Sequence, residues 1–328
     1  MYFADNPQFK IGQNGHLKKG KKTNRSRQGF INKNVPQAIY EPRKAADFID
    51  REVLIESLSN YERNNFVQFL LSNFEQADVL AVLRHYLIGT FRDGRTIFWQ
   101  IDRRNRIRTG KLIRYDSETG KRRKNTTNFV HAKLKEFGEL PNDFELRQCF
   151  FGEHLLRLEP EKPLAIVEAE KTAVIAAMFF PQYVWLATAG KSNLNAEKLE
   201  RLAGKKIVLF PDADAFERWQ TIAQKARELR LNVVVSDLIE RHATLEEKQN
   251  GFDLADYLLH SAKLKLEQTN AVIDRVLNDS QLLAELEFIC EERAAIMEID
   301  GNIPDSYNLF TQPKILRSLA AELVRNYE

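Results

Sequence analysis

The pattern of apolar and polar positions changes character twice along the chain. Residues 1–44 show no apolar periodicity and are polar, basic and rich in Asn, Gln and Gly. Such a composition cannot bury enough apolar surface to fold alone, so an extended basic arm is expected there. From Ala45, apolar residues fall at helical spacing: Phe48, Val53, Leu54, Leu58, Phe66, Phe69 and Leu70, continued from Val79 to Leu87. The stretches Thr96 to Ile101 and Ile107 to Tyr115 are then rich in β-formers and flank the polar turn Arg103-Arg104-Asn105. This predicts a β-hairpin. Asp116 to Gly120 reads as a second turn, a short helix is expected over Glu145 to Leu156, and Pro160 and Pro163 mark a boundary.

Beyond that boundary the pattern alternates. Strands are predicted over 164–168, 183–187, 206–211 and 232–236, with helices over 169–180, 195–203 and 215–230 between them. Short apolar runs separated by helices predict a parallel sheet with right-handed crossovers. A short helix is expected from Asp253 to Leu259, more helix from Ala262 to Glu298, and an amphipathic segment from Lys314 to Tyr327. The fold class is therefore α/β: a parallel sheet flanked by helices, preceded by a basic α+β subdomain and followed by a helical C-terminal region. The expected divisions are 1–44, 45–160, 161–260 and 261–328.

Composition supports this division without naming a function. The 328 residues, 43% of them hydrophobic, suffice for about two domains. The net charge of +3 says little, but its distribution is uneven. From Lys10 to Lys44 there are ten Lys/Arg and one acid, and from Arg92 to Lys124 twelve Lys/Arg and four acids. That asymmetry points to an anionic partner for the N-terminal half. Cys149 and Cys290 are the only cysteines and have no metal-ligand spacing, so neither zinc nor a disulfide framework is expected and a reducing, cytoplasmic setting is the default. The N-terminus has no signal-peptide pattern, and Pro181 and Gln182 interrupt the longest apolar stretch, which argues against a membrane span.

Three acids stand out. Glu168 follows the first predicted parallel strand, and Asp212 and Asp214 follow the third. Open α/β sheets build their sites beyond the carboxyl ends of such strands. Converging carboxylates repel unless a cation holds them, and their oxygens suit Mg²⁺ bound to phosphates. Plainer readings exist: Glu168 as an acid in a helix first turn, and one of the two Asp residues as a cap for the helix at Phe216. Capping accounts for one of that pair and not for both. Gly190 ends the second strand with a turn that permits close backbone approach to a ligand. Ala189-Gly190-Lys191-Ser192 has the outline of a phosphate loop, but Trp185 stands where its first Gly belongs, which excludes it. Lys191 reads equally as a phosphate contact or a solvated lysine. Candidates for nucleic-acid contact are Arg103, Arg104, Arg106, Arg108, Lys111, Arg114, Arg122, Arg123 and Lys124. Trp99 and Tyr115 could stack on bases, although for Trp99 core packing is the favoured reading.

The order of a strand-terminal Glu168, the Gly190 turn and Asp212-x-Asp214 resembles the Toprim domain, over residues from about 163 to 260. That domain is shared by bacterial-type primases, topoisomerases, OLD-type nucleases and recombination proteins. Cys149-Phe150-Phe151-Gly152-Glu153-His154-Leu155-Leu156 resembles the segment leading into that domain in primases. The basic hairpin resembles the primase N-terminal subdomain. Val167-Glu168-Ala169-Glu170-Lys171-Thr172-Ala173 resembles the Glu motif of phage and mobile-element primases. The resemblance implies a general acid/base role for Glu168, Mg²⁺ or Mn²⁺ on Asp212 and Asp214, and nucleotide phosphates near Lys171, Gly190 and Lys191. A later acidic pair in such primases matches Asp253 and Asp256, which fit a helix cap equally well. Implied too are single-stranded DNA, nucleoside triphosphates and a replicative helicase as partners, and primer synthesis as the reaction. Two departures stand. The chain lacks the cysteines of a zinc ribbon, and Tyr2 to Pro7 resembles the segment just after the ribbon in longer relatives, as expected of a truncated form or a fragment. It also carries no helicase motor. Rival functions are a metal-dependent nuclease using the same carboxylates and a non-catalytic DNA-binding replication module. A topoisomerase is disfavoured, because nothing supplies gate domains around a nucleophilic Tyr.

Overall fold

The computed structural model describes residues 44–190, 193–264 and 267. The basic arm up to residue 43, Lys191, Ser192 and nearly all of the expected C-terminal helical region lie outside the described residues. The chain divides into a unit Met1–Lys44 and a unit Ala45–Glu328. All the described helices and strands belong to the second unit.

Three helices open it: α1 (Arg51–Ser57), α2 (Asn65–Asn73) and α3 (Gln76–Tyr86). Their starts follow from local side-chain chemistry. The Asp50 carboxylate accepts from Glu52 N–H, and the Asn64 side chain accepts from Phe66 and Val67 N–H. A four-stranded antiparallel sheet follows in the order β1 (Gly89–Thr90), β2 (Thr96–Ile101), β3 (Ile107–Ile113), β4 (Asn128–Phe129), and α4 (Val130–Glu136) closes it. The predicted hairpin is β2–β3, with a register shift between Gln100 and Ile101.

Every residue of β2 and β3 is buried, because both faces of the sheet are covered. Ile97, Trp99, Ile101, Ile107 and Leu112 pack with Leu54, Val130 and Leu134 in a small core. Phe98 and Ile113 face a larger one, which runs from Phe66 to Leu258. Base stacking by Tyr115 is therefore corrected, and Trp99 takes the core place favoured for it. Trp99 is fully buried, with its indole N–H donating to Ser57 Oγ at 3.0 Å, and Tyr115 is buried against Phe66, ring centroids 5.0 Å apart.

The helix expected over Glu145 to Leu156 is also corrected: only α5 (Leu155–Leu158) forms. The preceding backbone pairs elsewhere. Asp47 N–H donates to the Glu145 carbonyl at 3.0 Å, and Phe151 bridges antiparallel to Ala187. Gly152, at φ 81°, turns the chain out of that bridge.

The second sheet is parallel, ordered β6 (Val184–Ala187), β5 (Leu164–Val167), β7 (Lys206–Leu209), β8 (Asn232–Val235), with α6 (Glu170–Phe179), α7 (Ala196–Glu200) and α8 (Phe216–Glu228) as connections. The predicted alternation is thus observed as a mixed α/β fold. Two short helices, α9 (Leu238–His242) and α10 (Leu245–Gln249), were not expected; five residues each is too short to leave a periodic signal. Residues 254–264 are helical. Among the described residues no helix is long and apolar enough to cross a membrane.

Candidate active site

The strand order sets β5 beside β7, so the chain leaves two neighbouring strands at the same edge of the sheet. Glu168 follows β5 directly. Its side chain is only 7% exposed, and Arg218 Nη2, from the first turns of α8, stands 3.5 Å from its Oε2. Past β7, Phe210 N–H still donates to the Ile166 carbonyl at 2.8 Å, holding the two strand exits together. The next residues alternate: Ala213 and Ala215 are buried, Asp212 is half-buried and Asp214 is exposed. Ala213 N–H donates to the Phe252 carbonyl (3.0 Å), and Ala215 N–H to the Asp212 carbonyl (2.9 Å). Two small apolar anchors, one between the acids and one after them, thus fix the backbone that carries both.

The turn after β6 is tied to the same edge. Thr188 N–H donates to the Val167 carbonyl, and its hydroxyl lies 3.3 Å from the Glu168 carbonyl and 3.1 Å from that of Gly190. Ala189 and Gly190 both have positive φ, 65° and 153°, a conformation that suits glycine at the second position.

Beneath this edge lies an ion pair that the residue pattern did not announce. Lys111 Nζ, from β3, contacts Glu170 Oε2 at 2.9 Å and the Ala189 carbonyl at 3.1 Å. The two side chains are 9% and 1% exposed. A single ammonium thus joins the antiparallel sheet, the start of α6 and the Gly190 turn. Glu170 Oε1 is buried and has no hydrogen-bond partner among the described residues.

Asp253 and Asp256 form a reciprocal cap. Asp256 N–H donates to Asp253 Oδ1 (2.9 Å) and Asp253 N–H to Asp256 Oδ2 (3.3 Å). Thr172 donates to Asp253 Oδ2 at 2.7 Å, and Lys171 Nζ lies 3.5 Å from Asp256 Oδ1. Burial, with the neighbouring Asp253 charge, raises the Asp256 carboxyl above its usual range, and Lys171 opposes the shift. These contacts favour the capping reading of the pair. They also direct Lys171, expected at a nucleotide phosphate, to a protein carboxylate.

Glu168, Asp212 and Asp214 leave the sheet at one edge, as expected. Among the described residues no three His, Cys, Asp or Glu side chains gather where a metal ion could sit, and Glu168 has Arg218 beside it. The donor chemistry of Asp212 and Asp214 nevertheless suits Mg²⁺, which is bound through one or two carboxylates and completes its shell with water and substrate phosphates.

The basic candidates divide by burial. Arg103, Arg104, Arg122, Arg123 and Lys124 are exposed. Arg108 is buried, with Nη2 2.7 Å from Asp102 Oδ2, and Arg106 shares that carboxylate at 2.9 Å. Arg114 is half-buried and donates to the Asp93 carbonyl at 2.6 Å. With Lys111, these ion-paired or hydrogen-bonded members tie the subdomain together. The exposed ones form two groups at opposite ends of the hairpin, about 20 Å apart for a seven-residue strand. Arg218 was missed because one Arg in an amphipathic helix carries no signal of its own; only its place four residues past Asp214 could have marked it.

Residues 64–213 match the family described as a domain of unknown function, DUF6371. No match is found among the curated proteins. Among solved structures, the chain is similar to a DnaG primase catalytic domain bound to single-stranded DNA, with 13% identity and a TM-score of 0.39 over 84% of this chain and 96% of that one. It is similar to the E. coli primase catalytic core with 13% identity and a TM-score of 0.38, over 78% and 98%. For the primase fragment of the bacteriophage T7 primase-helicase the values are 18% and 0.31; the chain spans 59% of that fragment with 47% of its own length.

Proposed function

We propose that the chain is a Toprim primase-like nucleotidyltransferase that joins nucleoside triphosphates on a single-stranded DNA template with Mg²⁺. The observation that carries this reading is the pair of neighbouring parallel strands, β5 and β7, ending in Glu168 and in Asp212-x-Asp214. Asp212 and Asp214 would hold the ion. When bound, Mg²⁺ orients a triphosphate and offsets charge that develops during phosphoryl transfer. Glu168, buried beside one guanidinium, is the carboxylate suited to take the proton of an attacking hydroxyl. The exposed Arg103, Arg104, Arg122, Arg123 and Lys124 would neutralise template phosphates. A mobile-element setting and a helicase partner follow from the same resemblance.

The test is incorporation of labelled nucleotides on single-stranded templates with Mg²⁺ or Mn²⁺. Wild-type protein should extend product, and Asp212→Asn should reduce incorporation by at least about a hundredfold, the upper end of what losing a residue that merely orients a metal ligand costs. No product from wild type on any template would sink the polymerase reading. A second reading, a non-catalytic DNA-binding module, is favoured by one observation: Lys171, Asp253 and Asp256 are engaged with one another and with Thr172. Salt-sensitive DNA binding unchanged in Asp212→Asn, without turnover, would select it.

A further inference from the structure

A cavity of about 240 Å³ opens at the opposite edge of the parallel sheet, lined by Arg103, Leu156, Arg157, Ala203 and Lys205. Lys205 directly precedes β7, and Arg157 lies in α5, which leads into β5. Both therefore stand at the amino ends of the strands whose carboxyl ends carry Glu168 and Asp212. Arg103 reaches the same cavity from the β2–β3 turn. Three cations line it, and no acid does.

Nor does a direct ion pair hold them, although Glu153 lies within electrostatic reach of Arg103. None of the three makes an ion pair among the described residues. Asp102 is engaged by Arg106 and Arg108. Glu153 is turned inward and accepts from Phe150 N–H at 3.2 Å; burial raises its carboxyl, while the Arg103 and Arg201 charges pull the other way. Arg201 therefore adds a fourth cation to this side of the molecule. Leu156 supplies an apolar part of its wall.

We propose that this cavity is a phosphate-binding site, separate from the carboxylate edge, built from Arg103, Arg157 and Lys205. Two guanidinium forks and an ammonium match the donors that a phosphate group takes up. The phosphate belongs either to a nucleic-acid strand running over the back of the sheet or to a free phosphorylated compound. The site takes no part in the proposed carboxylate chemistry and stands without it.

The experiment uses the full chain, in EDTA so that metal-dependent binding at the acids does not contribute. Affinity for a fluorescent 20-nucleotide oligo-dT and for inorganic pyrophosphate is measured for wild type, the double variant Arg157→Gln/Lys205→Gln and the control Lys225→Gln, an exposed cation of α8. All three replaced side chains are at least partly exposed and lie outside the cores, so the variants should keep the wild-type circular dichroism. The double variant is expected to lose about tenfold in affinity for at least one probe, with the control within about twofold of wild type. Loss on oligo-dT assigns the site to a strand; loss on pyrophosphate alone assigns it to a free phosphate compound. A double variant that matches the control on both probes overturns the proposal. Asp212→Asn should bind both probes as wild type does, which separates failure of this site from failure of the proposed catalysis.

Discussion

A lysine with 9% of its side chain exposed must find a counter-charge or lose its proton, and Lys111 finds Glu170. The pair lies where the basic subdomain meets the parallel sheet. Removing one member leaves the other charged and unpaired in the interior, which costs far more than removing both. Lys111→Met is therefore expected to destabilise the protein by about 3–5 kcal/mol, and Lys111→Met/Glu170→Met to recover most of it. Urea denaturation midpoints measure both; a double variant no more stable than the single one would contradict the buried pair. At this scale the positions of Glu168, Asp212 and Asp214 beyond their strands were legible, because a strand end is a local property. The fate of Lys111 was not. A lysine in a basic run looks like surface until a second layer covers it.

The stretch from Phe150 to Leu158 shows how an element departs from its pattern. Its apolar residues suggested a helix, yet Phe151 pairs with Ala187 and the chain turns at Gly152 before one short turn of helix forms. A Cβ at Gly152 would sit 2.7 Å from the Trp185 carbonyl, in a backbone conformation disfavoured for other residues. Gly152→Ala is expected to cost on the order of 2 kcal/mol or more, read as a lowered thermal midpoint. His154 in the same stretch is buried, and burial holds its imidazole at about 4, below the ordinary 6.5. Between these values the unfolded chain binds a proton that the folded chain refuses. The neutral imidazole's contribution is thus complete above about pH 6.5 and is lost as pH falls toward 4, by up to about 3 kcal/mol. His154→Asn, which cannot titrate, should flatten the stability profile over that window, and denaturation midpoints at several pH values would show whether it does.

Across the whole molecule, one core runs under both sheets and sorts the charges. Basic residues on β3 are enclosed, and those in the turns remain in water. Only the latter can release counterions from a nucleic acid. Replacing Arg122, Arg123 and Lys124 together by Gln should reduce the slope of log affinity for single-stranded DNA against log salt by about 2, at about 0.7 per phosphate contact. Arg108→Gln should lower stability and leave the slope alone; equal slopes for wild type and the triple variant would refute this division. The sequence by itself determined the strand–helix alternation from Leu164 and the order of the acids past the strands. Both are written in the spacing of neighbouring residues, and short-range periodicity dictates them. Tertiary structure alone decided that Lys111 and Arg108 turn inward, that Trp99 and Tyr115 are core, that Arg218 stands beside Glu168, and that Arg103, Arg157 and Lys205 share one cavity. Each of these joins residues whose nearness depends on how sheets and helices stack, and burial on a second face leaves no trace in the local pattern.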